Sequence, residues 1–289
     1  MNSTNEFSVT PMNQMVDLDP GETYTFSITI LNPANSTENL DYKISAAPYS
    51  VTSETYDADV ATMTDHTRMA DWITIPEPTG TLTPNETRGI ELTIQVPEDA
   101  PGGGQYAAII VGVDNENKTH DNIGVTNVLE VASIVYAKVS GDIYHKGEVL
   151  ENNVPGFSAI APLTVSSLIN NFGNMHETAE ITITATNFFT GEVYVSRDLD
   201  NGVYNELIMP DTTKYISKEI GDLPLVGVVT VKQDIYYNYA ISTVEKNVII
   251  CPIWFLALIS LTLIAIIASI VRSVREHRKK KKLAQKEIA

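Results

Sequence analysis

Histidines, cysteines and paired carboxylates build most catalytic and metal sites. In this 289-residue chain they are few or scattered. The five histidines are His66, His120, His145, His176 and His277. No two have the His-x-x-x-His spacing of a helical zinc site, and the first four lie in polar, loop-like surroundings that predict solvated side chains. One cysteine, Cys251, excludes internal disulfides and a cysteine-built zinc site. Gly102–Gly104 leads into a β-rich run and lacks the Lys-Ser/Thr pair of a phosphate cradle, so it reads as a turn. Asp198-Leu-Asp200-Asn201-Gly202 has its glycine one place early for a calcium loop, and its twelfth position is Met209 rather than Glu, which leaves a hairpin turn. Asp114, Glu116 and Asp121 could surround a calcium ion, against a solvated acidic loop as the plainer reading. Abundant acids allow many carboxylate pairs for glycoside hydrolysis and single out none. The expectation is a non-enzyme with no catalytic residue, no metal site and no cofactor.

Binding chemistry is better represented. Tyr49, Tyr56, Trp72 and Tyr106 lie in or beside loops of the first half. Aromatic faces suit sugar rings, and neighbouring Asn and Asp suit their hydroxyls. Tyr49, Tyr56 and Tyr106 are therefore the candidate ligand-binding residues. Packing in the core and at sandwich edges is the competing use of the same rings, with Trp72 the first candidate for the core. Tyr236, Tyr237 and Tyr239 read as core and edge residues of a strand.

The elements that must position these residues are β-strands. Thr23–Leu31 alternates polar with apolar, placing Tyr24, Phe26, Ile28 and Ile30 on one face. Ile90–Val96 repeats the pattern, and Ala107–Val113 is more evenly apolar, as a central strand would be. Ile181–Ala185, Val226–Val231 and Ile235–Tyr239 continue it. The order also repeats. Each half runs strand, Asn/Gly turn (Asn32-Pro33-Ala34-Asn35; Asn171-Phe172-Gly173-Asn174), strand and insertion. A Pro-x-x-Thr turn (Pro84–Thr87; Pro210–Thr213), a strand, a Pro, a Gly and a last strand follow. The fold class is all-β: two immunoglobulin-like β-sandwich domains followed by one transmembrane α-helix. The expected boundaries are a flexible start over 1–6, a first sandwich over 7–140, a second over 141–247, a membrane helix over 248–271 and a basic tail over 272–289.

Val248–Val271 carries no charge over 24 residues. As a helix it would extend about 36 Å at ~1.5 Å per residue, against a hydrocarbon core of ~30 Å. Residues 272–289 hold eight Lys/Arg and two Glu, a net of +6; the rest of the chain holds 11 Lys/Arg against 34 acids, a net of −23. The basic flank predicts a cytoplasmic C-terminus, so the body is expected outside the cell as a single-pass protein of the cell membrane. MNSTNEFSVT has neither the basic nor the apolar region of a signal peptide, so export implies an earlier start site or a removed signal. The acidic body argues against nucleic acid as a partner.

Three stretches resemble the WxL-interacting proteins, surface proteins of Gram-positive bacteria. They are Phe7-Ser-Val-Thr-Pro11; Leu18-Asp-Pro-Gly-Glu22 with Ile28-Thr-Ile-Leu-Asn-Pro33; and Val96-Pro-Glu-Asp-Ala-Pro-Gly-Gly-Gly-Gln-Tyr106. The order of two β-domains, membrane helix and basic tail is similar too. The resemblance implies a first domain that binds peptidoglycan or another wall component, a second that binds host-side proteins, and WxL-domain surface proteins as partners. The alternative is a structural stalk or accessory subunit of an envelope complex with no ligand of its own.

Overall fold

The computed structural model describes residues 7–114, 128–159, 162–195 and 202–287. Glu116, Asp121, His120, Asp198 and Asp200 lie outside them.

The first domain packs two sheets face to face. One has the strand order Ser8–Thr10, Thr23–Leu31, Thr87–Gln95, Ile73–Thr74. The other has the order Asn13–Leu18, Val128–Val139, Gly103–Asp114, Leu40–Pro48, Thr79–Leu82. Period-two side chains give each strand one inward face. Phe26, Ile28 and Ile30 meet Leu92, Ile94, Ile109 and Val135 in one core. The first strand changes sheets at a cis Thr10–Pro11 bond. Ser8–Thr10 pairs with Thr23–Leu31, and Asn13–Leu18 pairs in parallel with Val128–Val139. Trp72 is half-buried against this core, at the end of a short 3-10 helix, Arg68–Trp72.

The second domain repeats the plan. Gly147–Asn153, Leu163–Asn171 and Thr212–Ile220 form one sheet. The other runs Phe157–Ser158, Ala240–Ile250, Gly227–Tyr237, Glu177–Asn187, with Val193–Val195 and Val203–Ile208 beside the last. Again the early strand pairs in parallel with the final one, at Phe157 and Ile249. The two runs read separately at Val226–Val231 and Ile235–Tyr239 are one strand, Gly227–Tyr237. Tyr237 is buried, Tyr236 is exposed and Tyr239 sits at positive φ in the turn that follows.

The repeated Asn turns have a common physical basis. Asn32 and Asn171 both end a strand fully buried. Asn32 donates its amide to the carbonyls of Glu38 and Leu82, both at 3.1 Å. Asn171 donates to the carbonyls of Met175 at 2.8 Å and Ile208 at 3.0 Å. Buried carbonyls left by a corner need donors, and one side-chain amide supplies two. The Pro-x-x-Thr turns also match, with Asn85 and Asp211 both at positive φ.

The last strand ends at Ile250, and helix Ile253–Glu287 begins after Cys251-Pro252. The structure thus differs from the expected helix start. Val248 and Ile250 are buried and Ile249 is exposed, so these residues keep the strand's alternation. An uncharged β-branched run does not by itself separate a buried strand end from a membrane helix. The helix has one stretch, Ile253–His277, long and apolar enough to cross a membrane, and none of it is buried by the rest of the protein.

Candidate functional site

The three candidate tyrosines converge where the two domains meet. Tyr106 lies in the strand Gly103–Asp114, opposite Tyr136 on its neighbour. Its side chain is 0% exposed. Its hydroxyl accepts from the backbone N–H of His176, in the second domain, at 3.0 Å and lies 3.0 Å from His176 Nδ1. Tyr106, Tyr136 and His176 form a triangle of edge-to-face rings with centroids 5.7–5.8 Å apart, and Tyr49 reaches Tyr136 at 6.1 Å. Burial raises the phenol pKa of Tyr106 and Tyr136 above the ordinary 10. It lowers that of His176 below 6.5, against an opposing pull from Glu177. All three groups are thereby held neutral around pH 7.

Tyr56 comes from the insertion after Leu40–Pro48. Its hydroxyl accepts from Met209 N–H at 2.6 Å and lies 3.0 Å from Thr212 Oγ1. Lys214 stacks over its ring at 4.5 Å. Beside it Glu54 bridges to Lys214 in parallel, and Glu54 N–H donates to Thr213 O. Lys214 and Lys218 both bond Glu206. Burial pushes the Glu206 carboxyl up, and the two ammonium groups more than offset it, so its pKa ends below the ordinary carboxylate value.

The glycine run is part of the same junction. Gly103 has φ +119, and a Cβ there would stand 2.5 Å from the carbonyl oxygen of Asn174. At Gly104 a Cβ would meet the Tyr106 hydroxyl, while Gly104 N–H donates to Asn174 O at 2.7 Å. Asn174 donates its amide to Gly102 O and Asp142 O and accepts from Tyr144 N–H. These glycines let the backbones of two domains touch, and the run is a close-approach surface more than a turn.

A cleft of about 340 Å³ opens along this seam. Tyr49, Ser50, Thr64, Asp65, His66, Thr67 and Tyr106 line it from the first domain, and Met209–Thr212 from the second. His66 spans it, with Nδ1 3.0 Å from Gly104 O and Nε2 3.3 Å from Asp211 Oδ2. A neutral imidazole carries one N–H and donates to only one of these acceptors, and neither nitrogen is left facing a nucleophile. A larger hollow of about 630 Å³ lies on the outer sheet face among Asp41, Lys43, Thr79 and Glu130. Its mixed, alternating side chains are those of a solvated sheet face.

Several expectations need correction. Tyr106 presents no ring to solvent, because a central-strand residue beside a domain boundary is covered by the second domain. Tyr56 holds the second domain and is absent from the cleft lining, which leaves half-buried Tyr49 and fully buried Tyr106 as the two of the three that line it. His66 and His176 are bonded members of the seam, not solvated loop residues, and His145 pairs with Glu177. Sequence reasoning missed Tyr136, His176 and Asn174. Tyr136 was findable in principle as a cross-strand partner of Tyr106, given the register. Nothing in the sequence links His176 to a residue 70 positions earlier. Among the described residues no group of three His, Cys, Asp or Glu side chains is placed to hold a metal ion.

No family model matches the chain, and no curated protein matches it. Solved structures that do match include fimbrial chaperones. One is a chaperone–tip adhesin complex of CFA/I fimbriae, at 13% identity over 83% of this chain and 98% of that one, TM-score 0.40. The class 5 fimbriae chaperone CfaA matches at 12% identity over 83% and 99%, TM-score 0.40. The Salmonella enterica SafB chaperone, in complex with the SafA pilin, matches at 9% identity over 86% and 99%, TM-score 0.40. Likenesses this distant carry no activity across, and the two-sandwich assignment rests on the strand pairing above. These findings overturn the resemblance to WxL-interacting proteins. The stretches that carried it are corner chemistry: Gly21 takes positive φ in its turn, Asn32 plugs a strand end, and the glycine run meets Asn174. Sandwiches of many families need such residues.

Proposed function

We propose that the protein is a non-enzymatic, single-pass surface protein whose helix crosses the membrane with the basic tail inside. Its two sandwiches stand outside as one arm, and the cleft at their seam binds a wall component, a sugar or peptide stem of peptidoglycan. The observation that carries this reading is the cleft itself. It is open, falls within the ~300–1,000 Å³ of small-ligand sites, and combines a tyrosine with hydroxyl and carboxylate groups. The net charge of −23 on the body repels anionic wall polymers, so recognition relies on stacking and hydrogen bonds. Full-length protein in detergent, sedimented with purified peptidoglycan, tests this. The expected result is binding that survives removal of anionic polymers and falls several-fold in Tyr49→Ala. Equal binding by Tyr49→Ala, or none by the parent, removes the cleft as a wall site.

The hydrogen bonds across the seam favour a second reading, a stalk with no ligand of its own. It predicts a parent protein that binds neither preparation yet keeps its two domains together in one unfolding transition.

A further inference from the structure

The end of the second sandwich nearest the helix is unusually apolar. Three chain segments meet there around Ile249 and Ile250. Phe157 pairs with Ile249, Gly227 pairs with Ile250, and Phe188 N–H donates to Val228 O, directly beside Ile249. Exposed large side chains crown these segments: Phe157, Phe188, Phe189 at 77% and Leu225 at 75%. The stretches 152–163, 187–191 and 223–229 contain no Asp, Glu, Lys or Arg. A soluble domain rarely leaves such a patch to water.

The tip is also held in shape. Asn187 Oδ1 accepts from Phe189 N–H at 2.9 Å and Thr190 N–H at 3.1 Å, and its amide bonds the Tyr194 hydroxyl. Phe188 and Phe189 pack edge to face at 5.1 Å. The opposite end of the domain carries the seam. Only Cys251 and Pro252 separate the patch from the first turn of the helix, where Trp254 is exposed. With so short a connection, a helix inserted in a bilayer brings this end of the sandwich to the lipid surface.

We propose that the helix-proximal tips of the second sandwich, with Phe189 and Leu225 leading, insert into the membrane interface and seat the ectodomain directly on the bilayer. Aromatic and aliphatic side chains favour that zone. Glu192 and Asp222 bound the tips in sequence and set the depth, since their carboxylates stay hydrated. The inference rests on the helix being a membrane anchor.

The test is nitroxide accessibility in full-length protein reconstituted into phosphatidylcholine vesicles, on a Cys251→Ala background. Labels go on Phe189→Cys, Leu225→Cys, Tyr239→Cys at the far end of the same domain, and Ile259→Cys within the helix. Oxygen concentrates in lipid and a nickel chelate stays in water. The expected result is an oxygen-to-nickel accessibility ratio several-fold higher at 189 and 225 than at 239. Ratios at 189 and 225 equal to that at 239, with 259 in lipid, overturn the proposal and leave the anchor standing. Shielding of 189 and 225 from both reagents also overturns it and indicates a protein contact. A water-exposed 259 removes the anchor and the proposal together.

Discussion

At the end of Thr23–Leu31, Asn32 gives its amide to two carbonyls, and its buried oxygen accepts no hydrogen bond from the described residues. At the end of Leu163–Asn171, Asn171 gives its amide to two carbonyls and its oxygen also accepts from Gly173 N–H at 2.8 Å. The next residues continue outward: Phe172 N–H donates to Lys146 O, and Asn174 bonds the linker and the first domain's glycine run. One corner closes a domain, and the other has been extended into a joint. The same local solution serves a fold in one place and a connection in the other. The residues beyond the shared Asn, Pro33-Ala34-Asn35 against Phe172-Gly173-Asn174, make the difference.

The equivalent glycines that open matching strands break this comparison most sharply. Gly103 has no room for a Cβ, whereas a Cβ on Gly227 would meet the Pro224 ring at an ordinary 3.5 Å or more. Gly103→Val is expected to cost about 3 kcal/mol or more, and Gly227→Ala to stay within about 0.5 kcal/mol. Denaturant unfolding of the full chain in detergent reads both, and early protease cleavage near residues 141–146 reports the opened seam in the first. The two corners come next. Asn32→Ala strands two buried carbonyls and is expected to cost about 2 kcal/mol; Asn171→Ala also strands an N–H and should cost about 3 kcal/mol. Equal costs would mean that the extra bond of Asn171 contributes nothing. Tyr106→Phe leaves His176 N–H without its acceptor, for about 1–2 kcal/mol, measured by the same unfolding curves.

The smallest effect is the pH dependence of the seam. His176 has a folded pKa below its ordinary 6.5, so the unfolded chain binds more protons in that window. Stability should therefore fall as pH drops below about 6.5 and level off above 7. Tyr106 and Tyr136 have folded pKa values above 10, so the folded chain keeps protons longer and stability should fall again above pH 10. Midpoints from thermal melts across about pH 5–11 check both limbs, and His176→Gln should remove the acid one.

Period-two runs made the strands legible in sequence, and the two-domain plan followed from repeated Asn and Pro-x-x-Thr corners. Those signals are local: a strand's face and a turn's dihedrals are decided within a few residues. The candidate site was half legible. Tyr49, Tyr56 and Tyr106 do share one region, but their roles depend on contacts across 70 to 156 residues of sequence. Phenol rings bind sugars and pack domains with the same chemistry, and only the position of the second domain distinguishes these uses. The helix start was misread for a similar reason, since Val248–Ile250 satisfies the composition of both a strand and a membrane span.

The final strand also fixes how the molecule takes a mechanical load. Gly147, where the second domain begins, sits beside Asn238 at the end away from the helix. The domain is thus entered at one pole and left at the other, through Ala240–Ile250. Tension between a held outer domain and the membrane would run along that strand, lengthwise against the register with Gly227–Tyr237 that spans all 11 of its residues. Such a load must slide the whole ladder at once, because no end pair can be peeled away before the others.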